Sequence, residues 1–473
     1  MNLHSRPKLE SSSYDRASCK VGLVHLGYGA FHRAHQAVYI DDYMETTGDL
    51  AWGIAAVNLR AADVAAFHAA SGSDDGYLLK TTSPDGEVRY RLIRPHIAFE
   101  DWSTDAAAAE ALLDSEDVKA VSMTVTESGY FLKADWSLDL DAPEIKAEMQ
   151  GQGATTIYGY LAAALQRRAA GINAPITVLC CDNIRSNGKI LEKNFLAYLQ
   201  ACGMNDLADW VRANASFPCS MVDRITPRSS QVLIDEISEA FPGRSLAPIH
   251  GENFIQWVVQ NKFANTMPDL AKVGVEVVDD VDPFEEAKIR ILNGGHTGLC
   301  YLGALAGYQT FDEAMRDPTL RAHFDGWETE NVLPGLTLDL PFDKTAYLAE
   351  IAARFGNRAI ADDLARICMD GWSKMQIFIW PTLESCLAQG ISPTYGYDCI
   401  ASWYVYARRV AADAMPIAYT EPHWSALEAL LAPGKEAEFA ACETLWSHLP
   451  KAHAEFVPGV VEAIHRMEQS WPA

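Results

Sequence analysis

Lysine, asparagine and histidine stand at 288, 293 and 296 in the run Lys288-Ile289-Arg290-Ile291-Leu292-Asn293-Gly294-Gly295-His296. At about 100° per residue they fall near 0°, 140° and 80° around an α-helix, so all three can line one wall of a cleft. A lysine that loses hydration there, especially near a second cation, has its charged form disfavoured and can serve as a general base near neutral pH. Asn293 could then donate to an alkoxide and His296 orient a substrate. The plainer alternative is a solvated Lys/Arg pair at a helix start beside a satisfied histidine. Two adjacent glycines, Gly294 and Gly295, weigh against it: each costs about 1 kcal/mol relative to alanine inside a helix, so something needs close approach there, either a ligand or packed backbone.

A second cluster is Gly27-Tyr28-Gly29-Ala30-Phe31-His32. It follows an apolar run and opens a helical segment, the setting in which a G-x-G turn lets backbone approach a pyrophosphate. His32 replaces the third glycine of the usual fingerprint, and a tight strand-to-helix turn is the competing reading. Arg33 and His35 could add donors for phosphate. Near the end of the next apolar run Asn58 is followed by Asp63, a carboxylate in reach of an adenosine ribose, which favours NAD over NADP. Arg60, beside it, could instead accept a 2′-phosphate.

These residues need elements to hold them. VGLVHL at 21–26, AWGIAAVNL at 51–59, VKAVSMTVTE at 118–127 and PITVLCCDN at 175–183 read as strands apolar on both faces, alternating with helical stretches that include Ala30 to about Met44 and the Ala/Leu-rich TIYGYLAAALQRRAAG. That pattern predicts a largely parallel sheet covered by helices. Residues 77–93 read as an antiparallel excursion around Pro84, Asp85 and Gly86. Beyond about 284 the chain turns to long amphipathic segments at 285–307, 359–374, 397–414 and 434–447, which predict a mainly helical half. The acidic VVDDVDPFEE at 277–286 is the expected junction. The expected fold is thus α/β, with a Rossmann-type domain over 1–284 and a mainly α-helical domain over 285–473.

The chain has 473 residues, 49% hydrophobic and 21% charged, which excludes a disordered or fibrous protein and leaves room for two or three domains. Its 38 basic and 63 acidic residues give a net charge of −25, unsuited to nucleic acid or anionic membrane. Ten cysteines without a CxxC pair read as buried thiols of a reducing compartment. The N-terminal residues lack the apolar core of a secretory signal, and no run approaches the ~18 to 20 apolar residues needed to span a bilayer, so the expected location is cytoplasmic.

Seven segments, in order, resemble one family: HLGYGAFHRAHQAVY at 25–39, TVTESGY at 124–130, CDNIRSNG at 181–188, MVDRITP at 221–227, ENFIQWVVQNKF at 252–263, EEAKIRILNGGHTG at 285–298 and DGWSK at 370–374. They resemble the polyol-specific long-chain dehydrogenases, the mannitol dehydrogenase family, over residues from about 20 to 390. The resemblance implies an NAD(P)-dependent, metal-independent dehydrogenase with its active site between a Rossmann-type and a helical domain. It implies Lys288 as general base and Asn183 and Asn293 as amide donors to the developing alkoxide. His296, Arg366 and Lys374 match positions that contact or orient the polyol. Asp223 and Glu285 match carboxylates near the lysine, and Glu127 a carboxylate in the cleft; Asp223 and Glu127 could equally cap backbone or pair with Arg224. Gly27, Gly29, Ala30, Phe31, His32, Arg33 and Asp63 are the expected dinucleotide contacts. Family members often carry an acidic pair after the second strand; here Ala62 precedes Asp63, which weakens the cofactor assignment. The implied reaction is oxidation of D-arabinitol to D-xylulose, then of D-mannitol to D-fructose, with hexuronate reduction third if Arg290 or another arginine meets the carboxylate. The resemblance implies a monomer, with a weak oligomer left open, acting on a small-molecule polyol or ketose. Two rivals from other classes are a zinc alcohol dehydrogenase, for which no ligand spacing is recognisable, and a non-catalytic dinucleotide-binding protein.

Overall fold

The computed structural model describes residues 7–471 apart from 73, 74, 134 and 228. The chain divides into two compact units, one formed by residues up to 82 together with 87–282, the other by 83–86 and the residues from 283 onward.

The first unit is built on six parallel strands, β1 (Val21–Leu26), β2 (Gly53–Asn58), β3 (His96–Asp101), β4 (Ala120–Met123), β5 (Ile176–Cys180) and β6 (Ala215–Ser216), in the order β3-β2-β1-β4-β5-β6. This is the strand order of doubly wound dinucleotide-binding sheets, with the topological switch between β1 and β4. Strands β2, β4 and β5 are buried along their whole length, and β1 is buried from its second residue on, because helices cover both faces. One of these helices, Ile157–Ala170, starts at a Thr156 cap and ends near Arg168, which is wholly buried. The Arg168 guanidinium donates to the carbonyls of Leu113, Ser115, Val118, Ala174 and Pro175, tying together the chain segments that lead into β4 and β5.

The excursion over 77–93 is a hairpin, Tyr77–Thr82 antiparallel to Val88–Ile93, widened into a four-stranded sheet by Leu9–Ser11 and Ile249–Glu252. A further three-stranded sheet joins Ser220–Asp223, Gln256–Gln260 and Glu276–Val278. The helix expected from Ala30 to Met44 is broken into Ala30–Ala34 and Gln36–Thr47. Carbonyls at the break are taken by side chains: Tyr77 Oη donates to Arg33 O at 2.6 Å, and an Arg224 amino group donates to Ala34 O.

The second unit is helical, as expected, and its core holds the fully buried Trp327, Trp403 and Trp446. The 397–414 segment is one helix, Thr394–Ala411. Two other segments depart from continuous helices. Over 359–374 the helices Leu364–Cys368 and Gly371–Lys374 are split at Asp370, held at φ +54° with its amide on Thr420 O. A Cβ on Gly371 would lie 2.2 Å from Trp403 Nε1, so packing fixes this break. The 434–447 segment is likewise split into Glu436–Ala440 and Glu443–Trp446. None of the ten cysteines is in a disulfide; seven are buried, while Cys19, Cys202 and Cys442 are half-exposed. Among the described residues no helix is long and apolar enough to cross a membrane.

Candidate active-site residues

In the first unit the candidate groups cluster at the carboxyl ends of the central strands. Gly27, after β1, has φ +92°, and a Cβ there would stand 2.5 Å from Thr124 O beyond β4, so only glycine fits. Gly29 differs: its backbone is ordinary, and no atom of the described residues lies within 4 Å of where its Cβ would be. Ala30 and Phe31 follow in the short helix, Phe31 stacking on His35 at 5.0 Å.

The side chain of His32, expected at the cofactor, is enclosed beneath the loop. It stacks on His25 at 3.3 Å between ring centroids, and its Nε2 meets His96 Nε2 at 2.9 Å. Burial pushes its pKa down to about 3, so the ring is neutral. His35 is also buried, with Nε2 on Gln256 O at 2.8 Å, so neither ring is a phosphate donor. Arg33 lies over the rings of Tyr28 and Tyr77 and donates to Ala247 O at 3.3 Å. Asn58, at the end of β2, donates to Asp101 Oδ1 and Arg60 O. Asp63 is exposed and paired with Arg60 at 3.2 Å, so the carboxylate and the cation that argued for different cofactors hold each other.

Beyond β4 and β5, Glu127 and Asn183 are both exposed. Asp182, which the sequence reading passed over, joins their two segments. Its carboxylate accepts from the amides of Val125 and Thr126 at 2.9 and 3.1 Å and from Tyr130 Oη at 2.6 Å, which holds Thr126 at φ +67°. Burial lifts its pKa to about 6 against the opposing pull of these hydrogen bonds. Asp223 is buried at the end of its strand, while the guanidinium of Arg224 donates twice to Glu252 O. Glu252 Oε1 in turn accepts from the Ile225 amide, which binds the MVDRITP and ENF segments together.

In the second unit Glu285 and Lys288 are both buried, with Glu285 on the helix Asp282–Ala287. Residues Lys288–Asn293 form a π turn rather than an α turn, before the helix Gly294–Leu305. In such a turn the amide of residue i+5 reaches the carbonyl of residue i, so Asn293 sits about one turn above Lys288 instead of 140° away. The candidate base and the candidate donor are thereby brought nearer one face than α geometry allows. Arg290 is consumed internally, by Thr382 Oγ1 at 2.7 Å, Gly335 O at 2.6 Å and Glu286 at 3.4 Å, which removes it as a partner for a uronate carboxylate.

The paired glycines answer to close packing, Gly294 against backbone and Gly295 against side chains. A Cβ on Gly295 would stand 2.6 Å from Glu328 Oε1 and 2.9 Å from Phe324, and one on Gly294 would stand 3.3 Å from Phe378 O. His296 stacks on Phe355 at 4.5 Å and meets the edge of Phe311 at 4.3 Å. Burial pushes its pKa down to about 3 although Asp362, with Oδ2 at 3.9 Å, pulls the other way. A neutral ring can donate from one nitrogen and accept at the other. Arg366 grips the same Asp362 through Nε at 3.0 Å and through Nη2, so Asp362, unnoticed in the sequence, links two expected residues. Lys374 donates to Ile367 O at 2.5 Å, and burial lowers its pKa. Among the described residues no group of three or more His, Cys, Asp or Glu is arranged to hold a metal.

Residues 21–272 match the mannitol dehydrogenase Rossmann domain and residues 280–468 the mannitol dehydrogenase C-terminal domain. The chain belongs to the mannitol dehydrogenase family. This dehydrogenase is therefore an oxidoreductase of the polyol dehydrogenase type. It is 37% identical to D-arabinitol 4-dehydrogenase of Klebsiella pneumoniae, across 84% of this chain and 87% of that one. It is 36% identical to the polyol:NADP oxidoreductase of Gluconobacter oxydans, across 80% and 78%. Among solved structures, the Pseudomonas fluorescens mannitol 2-dehydrogenase ternary complex with NAD and D-mannitol superposes with a TM-score of 0.86 at 32% identity, across 98% of this dehydrogenase and 95% of that chain.

Proposed function

We propose that this dehydrogenase oxidises a secondary alcohol of a sugar alcohol to a ketose with NAD as preferred acceptor, D-arabinitol to D-xylulose first, and that it works without a metal. The observation that carries the reading is the π turn that stacks Asn293 over Lys288, one turn before the neutral His296. The first unit fits a dinucleotide: neither strain nor packing calls for glycine at 29, whereas close approach of a ligand to the backbone does. Gly27, Gly29, Ala30 and Phe31 would hold it, with His32 contributing through its backbone, Arg33 beside the loop and Asp63 toward the ribose. When bound, NAD supplies the acceptor of the hydride.

The rest falls to side chains. Lys288 takes the hydroxyl proton, and Asn183 and Asn293 donate to the oxygen as negative charge develops, a preorganised role in which one donor can be worth about 3 kcal/mol. His296, neutral, donates to or accepts from a neighbouring hydroxyl. Arg366 and Lys374 orient the polyol, the former through its hold on Asp362. Asp223 and Glu285 serve the proton of Lys288, and Glu127 faces the substrate.

D-Arabinitol is placed first on the Klebsiella relative. D-Mannitol is the second reading, favoured by the Pseudomonas structure. Uronate reduction ranks below both because Arg290 is spent inside the fold. The test is NAD and NADP reduction by purified protein at pH ~9, where a lysine base is more often neutral, against D-arabinitol, D-mannitol, D-sorbitol, xylitol and L-arabinitol. We expect kcat/KM to be highest for D-arabinitol with NAD. Silence with every polyol, followed by NADH oxidation with fructuronate or tagaturonate, would overturn the reading.

A further inference from the structure

Beside the helices that follow the Gly27–Gly29 loop the first unit holds a cavity lined by His32, Gln36, Ser122 and Trp257 among apolar neighbours. It offers about 10 Å³ of room for a water's centre, about what one water requires. His32 Nδ1, Trp257 Nε1 and both amide atoms of Gln36 are buried with no hydrogen-bond partner among the described residues. The Gln36 amide faces His32 and offsets a little of the burial of its ring, without reaching hydrogen-bond geometry. Orphaned polar groups at this density are rare in folded proteins, and buried water is the usual remedy.

We infer that His32, Gln36 and Trp257 hold one internal water, and that this water makes His32 a positioning residue for the dinucleotide loop. The second half rests on the reading of Gly27–Gly29 as the dinucleotide site.

Donor and acceptor counting selects a single arrangement. His32 and His96 share one hydrogen bond between their Nε2 atoms, so one ring carries the proton there and the other must carry its own on Nδ1. If His32 were the Nε2 donor, His96 would be left with a buried Nδ1–H and no acceptor, the costlier kind of orphan. The favoured state has His96 Nε2–H donating to His32 Nε2 and His32 Nδ1–H donating to the water. The indole N–H of Trp257, which can only donate, supplies the second hydrogen bond that the water accepts. The water donates to Gln36 Oε1, so three of the four orphaned atoms gain a partner and Gln36 Nε2 is the one this arrangement does not serve.

The hydration site is coupled to the loop by short links. His32 stacks on His25, which precedes Gly27 by two residues, and His25 contacts Ser122 Oγ at 2.7 Å and Thr124 Oγ1 at 2.9 Å. Thr124 is the residue whose carbonyl forms the wall against Gly27. The histidines thus brace the strand before the turn, the helix after it and the wall beside it.

A crystal structure of the full chain at a resolution where buried waters are visible, with NADH titrations of the wild type and of Trp257→Phe, tests this. Trp257→Phe keeps the ring and removes only the N–H. We expect one water bonded to His32 Nδ1, Trp257 Nε1 and Gln36 Oε1, and an increase of about fivefold in the NADH Kd of the variant with kcat and the polyol KM unchanged, as befits loss of one hydrogen bond outside the reacting groups. A dry cavity would overturn the hydration site. A water in place with an unmoved Kd would overturn the positioning role. Should the wild type show the water yet bind neither NADH nor NADPH, the site stands and the dinucleotide reading falls.

Discussion

In the Rossmann-type unit the candidate groups stand on turns at the ends of different strands, Gly27 after β1, Glu127 beyond β4 and Asn183 beyond β5. In the helical unit Lys288, Asn293 and His296 stand along one continuous helix. The first arrangement is held by hydrogen bonds from backbone amides that cross between strands, such as those Asp182 accepts from Val125 and Thr126. The second is held by the winding of the helix and by aromatic packing around His296. A site on strand ends is therefore sensitive to single backbone positions, whereas a site on a helix is sensitive to phase.

The comparison can be broken most sharply at Lys288. Lys288→Ala should lower kcat by about 10²- to 10⁴-fold while leaving the NADH Kd nearly unmoved; unchanged turnover would remove the assigned base and revive a non-catalytic role.

Acid should separate the units. His25 and His96 have pKa values well below the ordinary histidine value, His32 is at about 3 and His250 at about 4, all in the first unit, against His296 at about 3 and His323 at about 4 in the second. Each is neutral when folded and takes up a proton near pH 6.5 when unfolded, so the unfolded state binds more protons over that window. Stability is complete above about pH 6.5 and lost as pH falls toward 3, by about 2 kcal/mol at pH 5 for a fully buried ring. Hydrogen exchange resolved by segment at pH 7 and pH 5 should find the strands around His25 and His96 losing protection first; equal loss in both units would contradict this.

Glycine replacements sharpen the contrast at smaller scale. Gly27→Ala combines positive φ with a 2.5 Å clash and should cost about 1–3 kcal/mol in denaturant unfolding, whereas Gly29→Ala should leave stability alone and weaken NADH. Gly295→Ala, pressed against Glu328 and Phe324, should cost about 1–3 kcal/mol, and more than Gly294→Ala. Weakest of all, Asp63→Ala should change stability by less than about 1 kcal/mol, because the pair with Arg60 is exposed, while shifting the NAD to NADP ratio of kcat/KM toward NADP.

The same contrast governs what could be read beforehand. Four strands of the central sheet stand where continuous apolar runs predicted them, because burial on both faces leaves that mark. His96–Asp101 escaped notice since four of its six residues are only half-buried, and Ala215–Ser216 is too short to carry a pattern. The break at His35 depends on Tyr77 and Arg224, distant in sequence, taking carbonyls from the helix. Asp182 and Asp362 connect candidate residues through geometry that no spacing rule encodes. The π turn was invisible because the angular argument presumed 3.6 residues per turn, which set Asn293 140° from Lys288 instead of about one turn above it.

That turn has a consequence for how the chain tolerates change in length. A π turn accommodates one residue more than an α-helix of the same path would need. Deleting a single residue between Lys288 and Asn293 would leave an unbroken α-helix in which the lysine and the asparagine stand four residues, again about one turn, apart. Loss of one codon here would thus leave a folded protein with the candidate base and donor still on one face, whereas single-residue loss in the glycine turn of the other unit would be met first as a failure to fold.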